Sequence, residues 1–260
     1  MDRTNIDPTQ RFSSRVDHYA RYRPGYPEEV LRILREEAFL TPISIIADVG
    51  SGTGISSELF LKYGNTVYGV EPNPEMRRTA ESLLRNYPRF HSVPGTAEDT
   101  TLQTEGVDFV IAGQAFHWFQ VERSRQEFAR ILRPKGWLVL LWNSRRLSTP
   151  FLQAYEALLQ QYGTDYRQIN HKNVDESVLR RVFAAGKYQY RGLYNEQVFD
   201  LEGLRGRLLS TSYVPAEGDP GYGAMLQKLE QIFDTYQENG QVRVEYDTEM
   251  YFGQVAKGPA

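Results

Sequence analysis

Residues 45–56 read IIADVGSGTGIS: a short apolar, β-branched run carrying one acid, Asp48, then Gly50, Gly52 and Gly54 separated by single residues, then a helix-like stretch. Glycine in such a bend accepts left-handed backbone angles and lets a ligand approach the main chain with no Cβ in the way. The run before it does not alternate, as expected of a strand covered by helices on both faces of a parallel sheet. Alone the bend is a weak signal, and the rest of the chain has to supply its context.

The context is a rhythm. YPEEVLRILREEAF (26–39) places Pro27 at a first helical position, Glu28 and Glu29 in the first turn, and Val30, Leu31, Ile33 and Leu34 at helical spacing. After the first strand, SSELFLKYG predicts a helix ended by Gly64, TVYGVE a strand, PEMRRTAESLLRNY a helix and FHSVPG a third strand. VDFVIAG is a fourth strand, VERSRQEFARILRP a helix, and GWLVLLWN a fifth strand. Strands alternating with helices imply a parallel sheet with right-handed crossovers.

After Asn143 the rhythm stops. Helical segments TPFLQAYEALLQQYG and VDESVLRRVFAAG precede a strand candidate, YQYRGLYNEQVF. Asp200 then stands where it can cap a helix over DLEGLRGRLLS, and MLQKLEQIFDTYQENG predicts a helix ending at Gly240. The alternating VRVEYDTEMYFGQV reads as a closing strand. The expected division is a lid and first helix at 1–40, a sheet core at 41–146, an inserted helical cap with a late strand at 147–240, and the closing strand at 241–260.

Composition narrows the chemistry. Thirty basic against 33 acidic residues, spread along the chain, give no field that gathers phosphate backbones, so nucleic acid is disfavoured as a partner. With no cysteine there is no disulfide, thiolate nucleophile or cysteine-based metal site, and His18, His91, His117 and His171 show no ligand spacing, so no metal is expected. The polar N-terminus lacks the apolar core of a secretory signal, and no apolar run is long enough for a bilayer, which predicts a cytoplasmic protein. Separately, a monomer or homodimer is expected.

In an open parallel sheet the ligand crevice lies beyond the carboxyl ends of the strands. The second strand ends in Glu71, about 20 residues past the first glycine, where a carboxylate can accept from both hydroxyls of a ribose. A dinucleotide enzyme shares that spacing, but its G-x-G-x-x-G pattern has Ile55 at the third position read from Gly50, and Ser57 read from Gly52. Pyrophosphate also needs a bare helix N-terminus, which an adenosyl amino acid does not.

DVGSGTG, Glu71, GTAED after the third strand and QAFHW after the fourth together resemble class I S-adenosylmethionine-dependent methyltransferases, over roughly residues 10 to 143. More narrowly, the chain is similar to the type 11 group, including trans-aconitate methyltransferase-like enzymes. The resemblance implies a Rossmann-like α/β sheet, mostly parallel with an antiparallel closing strand, plus a helical insertion forming a cap. It implies S-adenosylmethionine as cofactor, yielding S-adenosylhomocysteine, and a small-molecule acceptor. Gly50, Ser51, Gly52, Thr53 and Gly54 would line its methionine part, Glu71 would hold the ribose, and Pro72 and Met76 would meet the adenine or ribose. Ala97 and Glu98 would meet the adenine edge, with Gln114 and Ala115 on the other side. Asp48 has two readings, bracing the bend alone or also lying near the cofactor ammonium.

From the resemblance, the segment HYARYRPGYP (18–27) would fold over the cofactor, making Tyr19, Tyr22 and Arg23 closing residues; otherwise it is a surface connection. Phe116 and Trp118 are assigned to shaping the acceptor site and excluding water. His117 is a candidate general base, or a structural histidine. In the cap, Arg205, beside Arg207 and near Tyr213, suits an anionic acceptor, since guanidinium forks recognise carboxylates; a solvated helix face is equally compatible. The expected reaction is in-line methyl transfer, governed by alignment and desolvation. A nicotinamide oxidoreductase and a non-catalytic adenosyl-binding protein are the alternatives.

Overall fold

The computed structural model describes residues 20–163 and 175–256. The chain runs α1 (Glu29–Ala38), β1 (Ile45–Val49), α2 (Ile55–Tyr63), β2 (Thr66–Val70), α3 (Pro74–Leu83), β3 (Phe90–Val93) and β4 (Val107–Gly113). A short 3-10 turn at Phe116–Trp118 leads to α4 (Val121–Ile131) and β5 (Leu132–Arg145). Beyond it come α5 (Pro150–Tyr162), α6 (Glu176–Val182), β6 (Gln189–Phe199), α7 (Leu201–Leu209), α8 (Tyr222–Tyr236) and β7 (Val242–Gly253). The strands form one seven-stranded sheet in the order β3-β2-β1-β4-β5-β7-β6.

β1 lies inside the sheet, parallel to β2 on one side and β4 on the other, with Asp48 opposite Gly69 and Ile111. The β2–β3 and β4–β5 pairs are parallel too. β7 is the antiparallel member: the Arg146 amide donates to the Glu245 carbonyl at 2.9 Å, while three residues back along β5 Asn143 meets Thr248, three residues forward along β7.

The described residues form two compact units. The larger comprises 25–143, 175–193 and 248–256, the smaller 20–24, 144–163 and 194–247. In the larger, the buried stripe Val30, Ile33, Leu34 and Ala38 of α1 packs with Ile46, Phe60, Val67, Ile111 and Val139 on one side of the sheet. Ala47, Val49, Val110, Phe128, Ile131 and Leu140 fill the other side. With both faces covered, β1 is buried from Ile46 to Val49, which explains its lack of alternation. The smaller unit has its own core, built from Leu152, Tyr155, Leu159, Leu204, Leu208, Met225, Leu229, Val244 and Tyr246.

The unit boundaries differ from the expected division, because α1 and the stretch containing α6 pack in the larger unit. α8 ends at Tyr236 rather than near Gly240, which instead sits at φ 77° in the tight turn between the Glu238 and Gln241 main chains. No helix among the described residues is long and apolar enough to cross a membrane.

The N-terminus of α7 is fixed by Asp200, whose Oδ1 accepts from the Gly203 amide at 2.8 Å. Asp200→Ala leaves that amide without its acceptor and should lower stability by about 1 kcal/mol, read from the shift of the urea unfolding midpoint.

Candidate functional site

The glycine bend is held from below. Gly50 and Ser51 both donate amides to the Val70 carbonyl, at 2.8 and 3.2 Å, so the bend hangs over the end of β2. Gly50 has φ 69°, and a Cβ there would stand 2.6 Å from the Ala115 Cβ and 3.1 Å from the Phe119 ring. Gly52 has φ 55° and the opposite surroundings, since a Cβ on it would meet nothing within 4 Å. The bend is thus closed at its start by Ala115 and Phe119 and bare at its middle.

Beneath it, Asp48 is fully buried. Its Oδ2 accepts from the Ser56 hydroxyl at 2.7 Å and the Ser57 hydroxyl at 2.6 Å, tying β1 to the first turn of α2. Its Oδ1 has no hydrogen-bond partner, and neither does the buried Thr53 Oγ1. Burial pushes the Asp48 carboxyl up to about 6, against the serine hydrogen bonds that favour ionisation. A pyrophosphate at this helix N-terminus would meet the carboxylate as a like charge, whereas an ammonium group would complete it.

Glu71 faces the bend from the end of β2. Its Oε2 accepts from the Gly52 amide at 3.0 Å and its Oε1 from the Asn73 amide at 2.9 Å. A carboxylate has about four acceptor positions, so roughly two remain for hydroxyl groups. Burial raises its pKa; the two amides and the nearby Arg77 oppose that rise. Arg77 also fixes the main chain here, donating to the carbonyls of Glu71 at 2.7 Å and Pro72 at 2.8 Å. Asn73 caps α3, its side chain accepting from the Glu75 and Met76 amides, and Met76 is buried while Pro72 is half-buried.

Ala97 is buried, and Glu98 beside it accepts from the Gln120 amide at 2.8 Å, so one of its oxygens serves the start of α4. Gln114 takes φ 55° at the end of β4, its side-chain amide donating to the Asn143 carbonyl at 3.2 Å. Asn143 also donates to the Gly25 carbonyl at 3.0 Å and accepts from the Thr248 hydroxyl at 2.5 Å. Phe116 is buried edge-on to Phe119 and Trp142, and Trp118 is half-buried against the His117 ring. The Trp142 indole N–H points at His117 Nδ1 at 3.5 Å.

In the smaller unit, the Tyr22 ring lies against Gly206, and Arg23 donates to the Ser210 carbonyl at 3.1 Å. Arg205 forms an ion pair with Glu230 on a half-exposed surface. Tyr213 packs against the core of this unit. Tyr19 lies outside the described residues. Five contributors escaped the sequence reading. Ser56 and Ser57 show no sign until their turn is placed over Asp48, and Phe119 lies one residue past the quoted motif. Tyr26, in the aromatic segment before α1, brings its hydroxyl to Gly113, within 2.7 Å of where a Cβ would be. Arg77 lies six residues past Glu71, at the start of α3. Among the described residues, no group of three or more histidine, aspartate or glutamate side chains is placed to hold a metal.

A carboxyl raised from 3.8 to about 6 by folding favours the fold when protonated. That contribution is complete below about pH 3.8 and is lost as pH rises through about 6, a change on the order of 3 kcal/mol. Urea midpoints measured across this range should fall with pH less steeply in Asp48→Asn than in the parent chain.

Residues 47–140 match the family model described as a methyltransferase domain. A methyltransferase-like protein of Schizosaccharomyces pombe is 27% identical over 91% of this chain and 92% of its own length. A methyltransferase of Mycobacterium tuberculosis is 37% identical over 54% of each chain. The fold is similar to that of a chain described as a type II methyltransferase from Anaeromyxobacter dehalogenans, with a TM-score of 0.67 at 24% identity, covering 91% of this chain and all of that one. The segment similar to that methyltransferase domain contains the bend, Glu71 and the ends of the third and fourth strands.

Proposed function

We propose that the protein transfers the methyl group of S-adenosylmethionine to a small-molecule acceptor. The observation that carries this is the bond between Glu71 and the Gly52 amide, which sets a partly satisfied carboxylate across from a bare main-chain bend. When bound, the cofactor supplies a methyl group on a sulfonium, open to in-line attack.

The protein's residues bind, orient and exclude water. Glu71 would accept the ribose hydroxyls. Asp48 Oδ1 and Thr53 Oγ1, both buried and without partners, would receive the ammonium and a polar atom of the amino acid part. A buried polar atom without a partner is costly, so a ligand that satisfies these two gains affinity. Pro72, Met76 and Ala97 offer apolar surface to the adenine. Phe116 and Trp118 would shape the reacting end, and holding reactants in line without water can supply most of the acceleration that methyl transfer requires. No protein nucleophile is called for.

Calorimetric titration should show S-adenosylhomocysteine binding to the parent chain, roughly tenfold to hundredfold weaker in Glu71→Ala, the range expected for losing hydrogen bonds to a charged group. Unchanged affinity in that variant, or preferential binding of NAD or NADP, would overturn the proposal. Because Asp48 must be ionised to hold an ammonium, affinity should also rise with pH through about 6 in the parent chain and stay flat in Asp48→Asn.

A further inference from the structure

β4 ends in Gly113, and the chain must then turn to enter the 3-10 turn at Phe116. Glycine suits such a turn, yet Gly113 lies outside the left-handed region, and the positive angle, φ 55°, falls on Gln114. Gly113 is a glycine for another reason. A Cβ on it would stand 2.7 Å from the Tyr26 hydroxyl and 3.2 Å from the Ser56 side chain, so the space is already taken. The turn is thereby left to a residue with a long side chain.

For such a residue the left-handed region is uncommon and unfavourable, and it persists only where the surroundings hold it. Two bonds hold Gln114. Its main-chain amide donates to the Leu141 carbonyl at 2.9 Å, carrying the ladder between β4 and β5 one residue past Gly113. Its Nε2 donates to the Asn143 carbonyl at 3.2 Å. A carbonyl only accepts, so the nitrogen of the Gln114 side chain is the atom that faces Asn143. Asn143 is itself well anchored. It is buried, its Nδ2 donates to the Gly25 carbonyl at 3.0 Å, and its Oδ1 accepts from the buried Thr248 hydroxyl at 2.5 Å.

Ala115 follows the turn and meets the bend, since a Cβ on Gly50 would stand 2.6 Å from the Ala115 Cβ. Phe116 then enters the core, fully buried. The backbone angle at Gln114 thus decides where Ala115 stands, and Ala115 walls the start of the bend. We propose that Gln114 is a positioning residue: its side chain, held by Asn143, keeps its own backbone left-handed, and the turn so held seats Ala115 against Gly50 and keeps the bend in the shape that receives a ligand. That this ligand is the methyl donor rests on the methyltransferase reading. The resemblance implies instead a side chain in direct contact with the cofactor, and the two roles give different results on substitution.

Gln114→Ala removes the bond to Asn143 and leaves a residue with a Cβ at the strained angle. Gln114→Gly removes the same bond and the strain with it, because glycine adopts positive φ freely. In calorimetric titrations of the full chain, S-adenosylhomocysteine should bind Gln114→Ala roughly tenfold more weakly than the parent, the scale of one strained residue released. It should bind Gln114→Gly nearly as tightly as the parent, and the melting temperature of Gln114→Gly should lie above that of Gln114→Ala. The proposal is overturned if Gln114→Ala binds as the parent does. It is equally overturned if Gln114→Gly binds no better than Gln114→Ala, the result expected of a side chain that touches the ligand. Should the parent chain itself fail to bind S-adenosylhomocysteine, the methyltransferase reading falls and the melting temperatures alone judge the turn: Gln114→Gly above Gln114→Ala sustains the holding role of the side chain, and equal or reversed values remove it.

Discussion

A carboxylate in the middle of a parallel sheet governs the architecture of the site. Asp48 lies in β1, flanked by β2 and β4, where water does not reach it. It must therefore draw its donors from the chain, and the donors within reach are the hydroxyls in the first turn of α2. Meeting that demand folds residues 50–54 back over the strand end and turns Gly52 outward, opposite Glu71. The bend is thus shaped by what lies under it as much as by its glycines.

Two buried charges of opposite sign are left open by the chain, Asp48 in the larger unit and Arg207 in the smaller. Each is surrounded by hydroxyl groups rather than by an opposite charge. Neutral dipoles solvate a buried ion without cancelling it, so at Asp48 affinity is kept for a ligand's own charge. A carboxylate suits the ammonium of an amino acid.

Much of this was legible in the sequence because it is local. The alternation of strands and helices, the glycine spacing, Glu71 at the end of β2, and Asp200 as a cap each depend on residues within about one element of one another. What escaped depends on contacts between distant segments. Arg207 meets Tyr246 across 39 positions, and nothing in GLRGRLLS distinguishes it from Arg205, two residues away on the same helix, until the fold buries one and leaves the other half-exposed. Phe119 and Tyr26 matter only through their approach to Gly50 and Gly113. Helix ends were the least legible, as with α8, where Gly240 serves the following turn instead of the helix.

Asn143 joins pieces that sequence order keeps far apart. Its amide and carbonyls engage Gly25, Thr248 and Gln114, all in the larger unit. One short residue therefore works as a splice inside the larger unit, fastening three segments that are distant in sequence. Segments tied this way have little freedom to shift one at a time, so insertions and deletions in its descendants should avoid all three together.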